Sequence, residues 1–138
     1  MSSRRLEGWE QRLDDVIAGA RDVPYVLGQH DCLRVALRTV EALTGVDRWS
    51  EFEGYATKRE ALATIAKFGS SFEAAISWFF GEDSVDTRLA RRGDICLVET
   101  ADGEKHLGVC LGRDTALLGS DGLVYIPTLS CLCAWRVG

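Results

Sequence analysis

Pro24-Tyr25-Val26-Leu27-Gly28-Gln29-His30-Asp31-Cys32 is the stretch whose reading decides the fold of this chain. Pro24 cannot continue a preceding helix, Gly28 permits a tight turn, and Asp31 is a residue type that caps a helix N-terminus with its side-chain oxygen. The stretch therefore predicts a short extended piece leading into a helix. That helix starts at Asp31 and runs through Val35, Ala36, Val40 and Leu43 until Thr44-Gly45 stops it. Cys32 falls in its first turn.

Upstream, Leu6, Trp9, Leu13, Val16, Ile17 and Ala20 recur at helical spacing, which predicts an amphipathic helix with Glu7, Glu10, Gln11 and Asp14 in solvent. Downstream, residues 46–55 read as an irregular segment in which Trp49, Phe52 and Tyr55 cover a hydrophobic edge. Thr57 with Glu60, and Ser70 with Glu73, each match a capping box, giving two short helices ended by Gly69 and Gly81. Those helices pack Leu62, Ile65, Phe72, Ile76, Phe79 and Phe80. After Gly93 the pattern changes to short strands divided by turn signals: Ile95 to Val98, His106 to Leu111, Ala116 to Leu118, Leu123 to Ile126 and Cys131 to Val137. A helical N-terminal half packed on a C-terminal antiparallel β-meander is an α+β architecture, expected here as a single domain over 1–138.

Composition narrows the function. A chain of 138 residues that is 46% hydrophobic supports one real core. Its formal charge of -5 argues against a nucleic-acid groove, which needs clustered Lys and Arg; Arg88, Arg91 and Arg92 read as a solvated turn. No apolar stretch approaches the ~20 residues of a membrane helix. Met1 to Arg5 run into an amphipathic pattern rather than a signal-peptide core, so synthesis in the bacterial cytoplasm is expected. Five cysteines, Cys32, Cys96, Cys110, Cys131 and Cys133, lack the spacing of a disulfide framework.

Two residues carry the expected chemistry. A helix N-terminus favours the thiolate of Cys32 through free N–H groups and the positive dipole end, and the same groups can hold the oxyanion of an attacked carbonyl. His106 can take the thiol proton and return it to a leaving amine. Strand alternation puts Leu107, Val109 and Leu111 in the core layer, leaving His106 and Cys110 turned toward the cysteine-bearing helix. Taken alone, a single cysteine is more often a small core hydrophobe than a nucleophile. His30 reads as a loop or cap residue. Cys131 and Cys133 share one face of the last strand with Trp135 and Val137, where core packing is expected; a metal or cluster module using Cys110, Cys131 and Cys133 is the weakest reading. No metal or cofactor is expected.

These motifs resemble the NlpC-type cell-wall peptidases, bacterial and phage relatives of the papain-like cysteine hydrolases. Tyr25, Gly28 and Asp31-Cys32 look like that family's tyrosine, glycine turn and Asp-Cys helix start. Gly93-Asp94-Ile95 is similar to its Gly-Asp strand, and His106-Leu107-Gly108 to Gly112 is similar to its histidine strand. The Pro24 to Cys32 stretch and Ala134-Trp135-Arg136-Val137 also resemble small proteins encoded among tail genes of phages and gene transfer agents. The resemblance covers roughly Leu13 to Val137. It implies a catalytic Cys32/His106 pair supported by Tyr25 and Asp31, a virion tail component, other tail-tip or hub proteins as partners, and peptidoglycan peptide as substrate. Two positions depart from the pattern. Leu33-Arg34 stands where the peptidases have Ser-Gly, and Leu118 stands where a polar residue should orient the histidine, with Ser120 nearby as a weak substitute. An imidazole without that partner loses value as a base, so a catalytically silent tail-tip or hub subunit is the competing expectation.

Overall fold

The computed structural model describes residues 4–138. Four helices, α1 (Trp9–Ala20), α2 (Cys32–Thr44), α3 (Lys58–Ala66) and α4 (Phe72–Phe80), precede five strands, β1 (Ile95–Glu99), β2 (Lys105–Cys110), β3 (Asp114–Gly119), β4 (Gly122–Pro127) and β5 (Cys133–Trp135). All strand pairs are antiparallel, in the order β4-β3-β2-β1-β5. The protein is thus α+β, with its helices in the N-terminal half and its sheet in the C-terminal half.

Local chemistry explains the boundaries. Asp31 Oδ1 accepts from the Arg34 N–H at 2.8 Å to start α2, and Gly45 ends it at φ 78°, its N–H returning to the Glu41 carbonyl at 2.7 Å. Thr57 and Glu60 form the reciprocal capping box of α3. α1 starts three residues later than its apolar spacing suggests, because Leu6 is held outside the helix by its N–H bond to the Leu43 carbonyl.

Three expectations about the elements and their order are corrected. The cap of α4 is Ser71, not Ser70: its hydroxyl accepts from the Ala74 N–H at 3.1 Å, leaving Glu73 free to accept from Ser84 Oγ at 3.1 Å. Gly69 does not terminate α3; a Cβ there would lie 2.6 Å from the Ala75 nitrogen, so the glycine lets α4 approach. Finally, only β1 to β4 form a meander. β5 crosses back to pair with β1, setting Trp135 opposite Ile95 and Cys133 opposite Leu97. Trp135 is fully buried there, its Nε1 donating to Ser77 Oγ at 2.9 Å.

The sheet has two buried faces. On one, Leu33, Leu37 and Val40 of α2 pack with Ile95, Leu97, Leu107, Val109 and Trp135 in the main core. On the other lie Cys96, Val98, Cys110, Leu117, Cys131 and Ala134. Cys110 therefore faces away from α2, contrary to expectation, and the ladder likewise pairs His106, expected on the same face as Cys110, with Val98 of that far cluster. Cys133 joins the main core while Cys131 joins the far face, because β5 begins only at Cys133 and strand alternation does not reach back to Cys131.

Asp94 ties the sheet to both ends of the described chain. Its buried carboxylate accepts from the Arg91 N–H (2.8 Å), the Val137 N–H (3.2 Å) and the Arg5 guanidinium (3.0 Å). Arg5 also donates to the carbonyls of Val137 and Arg92, each at 2.7 Å. An aspartate with that many donors resists replacement, since each donor left buried without a partner costs about 1–3 kcal/mol.

Candidate functional site

The segment before α2 closes on itself: Val26 and His30 exchange backbone hydrogen bonds of 2.9 and 2.7 Å around Gly28, which sits at φ 80°. Gly28 is required twice over, because a Cβ there would also collide with the Tyr55 carbonyl. Asp31, 3% exposed, accepts from the Gly28 N–H at 2.9 Å, from the Arg34 N–H and from the Tyr55 hydroxyl. One carboxylate thus fixes the turn, the helix start and the segment that roofs them.

His30 is buried and points into a different contact. Its Nδ1 lies 3.0 Å from Arg38 Nη1. Guanidinium only donates, so Nδ1 is the acceptor and Nε2 carries the proton, with no hydrogen-bond partner among the described residues. Burial, with the Arg38 charge, lowers the His30 pKa.

Cys32 is partly exposed at a cavity of about 380 Å³ whose walls include Tyr25, Leu27, Tyr55, Ile65, Phe72 and His106. Burial pushes its thiol up to about 11; the Leu107 backbone N–H and the helix-start N–H groups pull the other way, and the charge of Asp31 adds to the rise. The helix start acts in the expected direction and desolvation outweighs it, so Cys32 rests as a neutral thiol. Tyr25 and Tyr55 are raised as well, in both cases first by burial and then by Asp31.

The structure brings Cys32 and His106 to one cavity. Among the described residues no hydrogen bond joins them; the strand residue whose backbone lies against the sulfur is Leu107. His106 pairs across the ladder with Val98, and its Nε2 stands 3.8 Å from Glu104 Oε2. Burial and the Lys58 charge lower the His106 pKa, while Asp102 opposes them, so the imidazole is neutral at neutral pH. Lys58 and Glu104 form an ion pair at the rim of the cavity.

Ser120 reaches this region through its backbone, its carbonyl accepting from the Tyr25 N–H at 3.2 Å; among the described residues its hydroxyl makes no bond to His106. Leu118 packs against the main core. Sequence reasoning missed Tyr55 as the third donor to Asp31, and Glu104 as the carboxylate nearest the imidazole. No local pattern marks Tyr55, since its partner is 24 residues away. Nothing in the sequence singles out Glu104, which immediately precedes β2.

Other features bear on function. Among the described residues no group of three or more His, Cys, Asp or Glu side chains is placed to hold a metal ion, and no helix is long and apolar enough to cross a membrane. A wider surface groove of about 920 Å³, bordered by Trp78, Glu82 and Asp83, has neither cysteine nor histidine on its walls.

Fold and site together define an α+β domain with a thiol on the opening turn of a helix, set against a histidine-bearing strand across an apolar cavity. The chain belongs to the family described as Domain of unknown function (DUF6950), whose family model matches residues 4–137. No curated protein matches it.

Proposed function

We propose that this protein is a papain-like, NlpC-type tail-tip component of a phage or gene-transfer-agent particle whose Cys32 attacks peptide bonds in peptidoglycan. The observation that carries the reading is the shared cavity of Cys32 and His106 at the start of α2. The tail-tip assignment draws on the resemblance of the Pro24 to Cys32 stretch and of Ala134 to Val137 to tail-gene proteins.

The resting groups define the proton inventory. A neutral imidazole accepts the proton of a neutral thiol as the sulfur attacks the scissile carbonyl carbon, and the N–H groups of the helix start stabilise the oxyanion. His106 then delivers that proton to the leaving amine, and water hydrolyses the thioester. Glu104 Oε2 stands 3.8 Å from His106 Nε2, and its closure to hydrogen-bonding distance on substrate binding supplies the orienting part that neither Leu118 nor Ser120 supplies. A murein-peptide assay comparing wild type with Cys32→Ala tests the assignment: product release lost in the variant supports it, and equal release in both removes the nucleophile.

The second reading is a catalytically silent tail-tip or hub subunit that keeps the fold for assembly. The thiol pushed up to about 11 and the absence, among the described residues, of a bond between Cys32 and His106 favour it. A structure of the assembled tail separates the two, since a neighbouring chain filling the Cys32 cavity supports the structural role and an open cavity supports hydrolysis.

A further inference from the structure

The far face of the sheet holds three thiols that the proposed chemistry does not use. Cys96 of β1 lies opposite Gly108, its sulfur accepts from Thr115 Oγ1 at 3.7 Å, and it packs in one buried apolar cluster with Cys110 and Cys131. Thr115 and Thr128 share a 2.9 Å bond, and Thr128 stands 3.8 Å from the Cys110 sulfur. Three thiols packed into one apolar cluster is a dense arrangement for a chain with five.

The three differ in access and restraint. Cys96 and Cys110 are fully buried, whereas Cys131 is 7% exposed, between Leu129 and Leu132, which are 71% and 53% exposed. Cys110 is held by both the N–H and the carbonyl of Gly112, each 3.4 Å from its sulfur. Among the described residues the Cys131 sulfur is held only by the Pro127 carbonyl, 4.0 Å away, while its N–H donates to the Thr128 carbonyl at 3.1 Å. Register separates the possible pairs: Cys110 is the diagonal neighbour of Cys96, and diagonal positions in an antiparallel ladder are about 7–8 Å apart. A disulfide needs its Cα atoms closer than about 7 Å. Cys131 lies outside the ladder, just after the turn Thr128–Ser130, and no register position holds it at a diagonal to Cys96.

We infer that this cluster is an oxidation site, in which hydrogen peroxide converts Cys131 and Cys96 into an intramolecular disulfide that staples the segment leading into β5 onto β1. The Cys131 sulfur attacks one peroxide oxygen and becomes a sulfenic acid, while the other oxygen leaves and is protonated to water. Cys96 then attacks the Cys131 sulfur; its proton goes with the departing hydroxyl as a second water. Two thiols lose two electrons and the peroxide gains them. The thiols of Cys110 and Cys131 are both lowered, and of the two only Cys131 reaches the surface, which favours it as the attacking sulfur. Neither Cys32 nor His106 takes part, so this inference stands or falls apart from the hydrolase reading.

Peptide mapping of the full chain after treatment with hydrogen peroxide tests the site. The expected result is a linked peptide joining Cys96 to Cys131, a rise in melting temperature reversed by dithiothreitol, and the same bond in Cys32→Ser and Cys110→Ser proteins. Cys131→Ser should abolish both the link and the temperature rise. Wild-type protein in which the linked peptide joins any other pair, or in which Cys131 ends as a sulfinic or sulfonic acid with Cys96 free, overturns the inference. Mapping the wild type decides the matter even where a variant folds poorly.

Discussion

Cys32 and the thiols of the far face occupy two environments that move a cysteine in opposite directions. At the start of α2, free N–H groups favour the thiolate, yet burial wins and the thiol is pushed up to about 11. Behind the sheet no helix end is involved, yet the S–H of Cys96 brings Cys110 down to about 6 and Cys131 to about 7 while its own value is raised. What lies against the sulfur matters more than its address in the secondary structure.

The largest test of that contrast is the support of Cys32 rather than the sulfur itself. Asp31→Ala leaves the donors of Gly28, Arg34 and Tyr55 without their shared acceptor, and a loss of about 3–5 kcal/mol is expected in urea unfolding. A loss under about 1 kcal/mol would show that the turn holds itself. Next come the two faces of β1. Leu97→Ala, in the main core, should cost about 2–5 kcal/mol, and Cys96→Ala, on the far face, about 1–2 kcal/mol; the reverse order would mean the far cluster carries more of the stability.

Alkylation by iodoacetamide separates the two environments kinetically. A raised thiol pKa means less thiolate at any lower pH, so labelling of Cys32 should climb about tenfold per pH unit up to roughly pH 10. Cys131, whose thiol is lowered from the ordinary value, should reach its plateau at a lower pH than Cys32. A plateau for Cys32 near neutral pH would replace the resting thiol with an activated thiolate. The smallest effects belong to the rim and the backbone-anchored turn. Lys58→Ala breaks an exposed ion pair and should change stability by about 0.5 kcal/mol. Ser120→Ala should leave stability and any hydrolysis unchanged, as its tie to Tyr25 runs through the main chain.

Much of the helical half was legible because its signals are local. Asp31 and Gly45 bracket α2, Thr57 and Glu60 cap α3, and Gly81 ends α4 within the span of a few residues each. Four strands were legible from alternation and from the turns between them. The place of β5 was not: a sequence marks a strand but not its partner, and the burial of Trp135 beside Phe80 decides the crossover to β1. Ser70 and Ser71 are equivalent as letters, and only the packing of Gly69 against Ala75 selects the second. In the site, the residue types at Tyr25, Asp31, Cys32 and His106 could be read directly. The reach of Tyr55 to Asp31, the neutral state of Cys32 and the approach of Glu104 to His106 depend on tertiary placement.

The Asp94 knot has a consequence for rewiring the chain. With Arg5 Nε 2.7 Å from the Val137 carbonyl, the two ends of the described fold emerge side by side. A short glycine-serine bridge from residue 138 to residue 4, with new termini cut at the exposed Ala101-Asp102-Gly103 turn, should give a circular permutant that folds to the same sheet. Loss of the native amide fingerprint in such a permutant would show that the backbone break between β1 and β2, and not the joined ends, governs assembly of the domain.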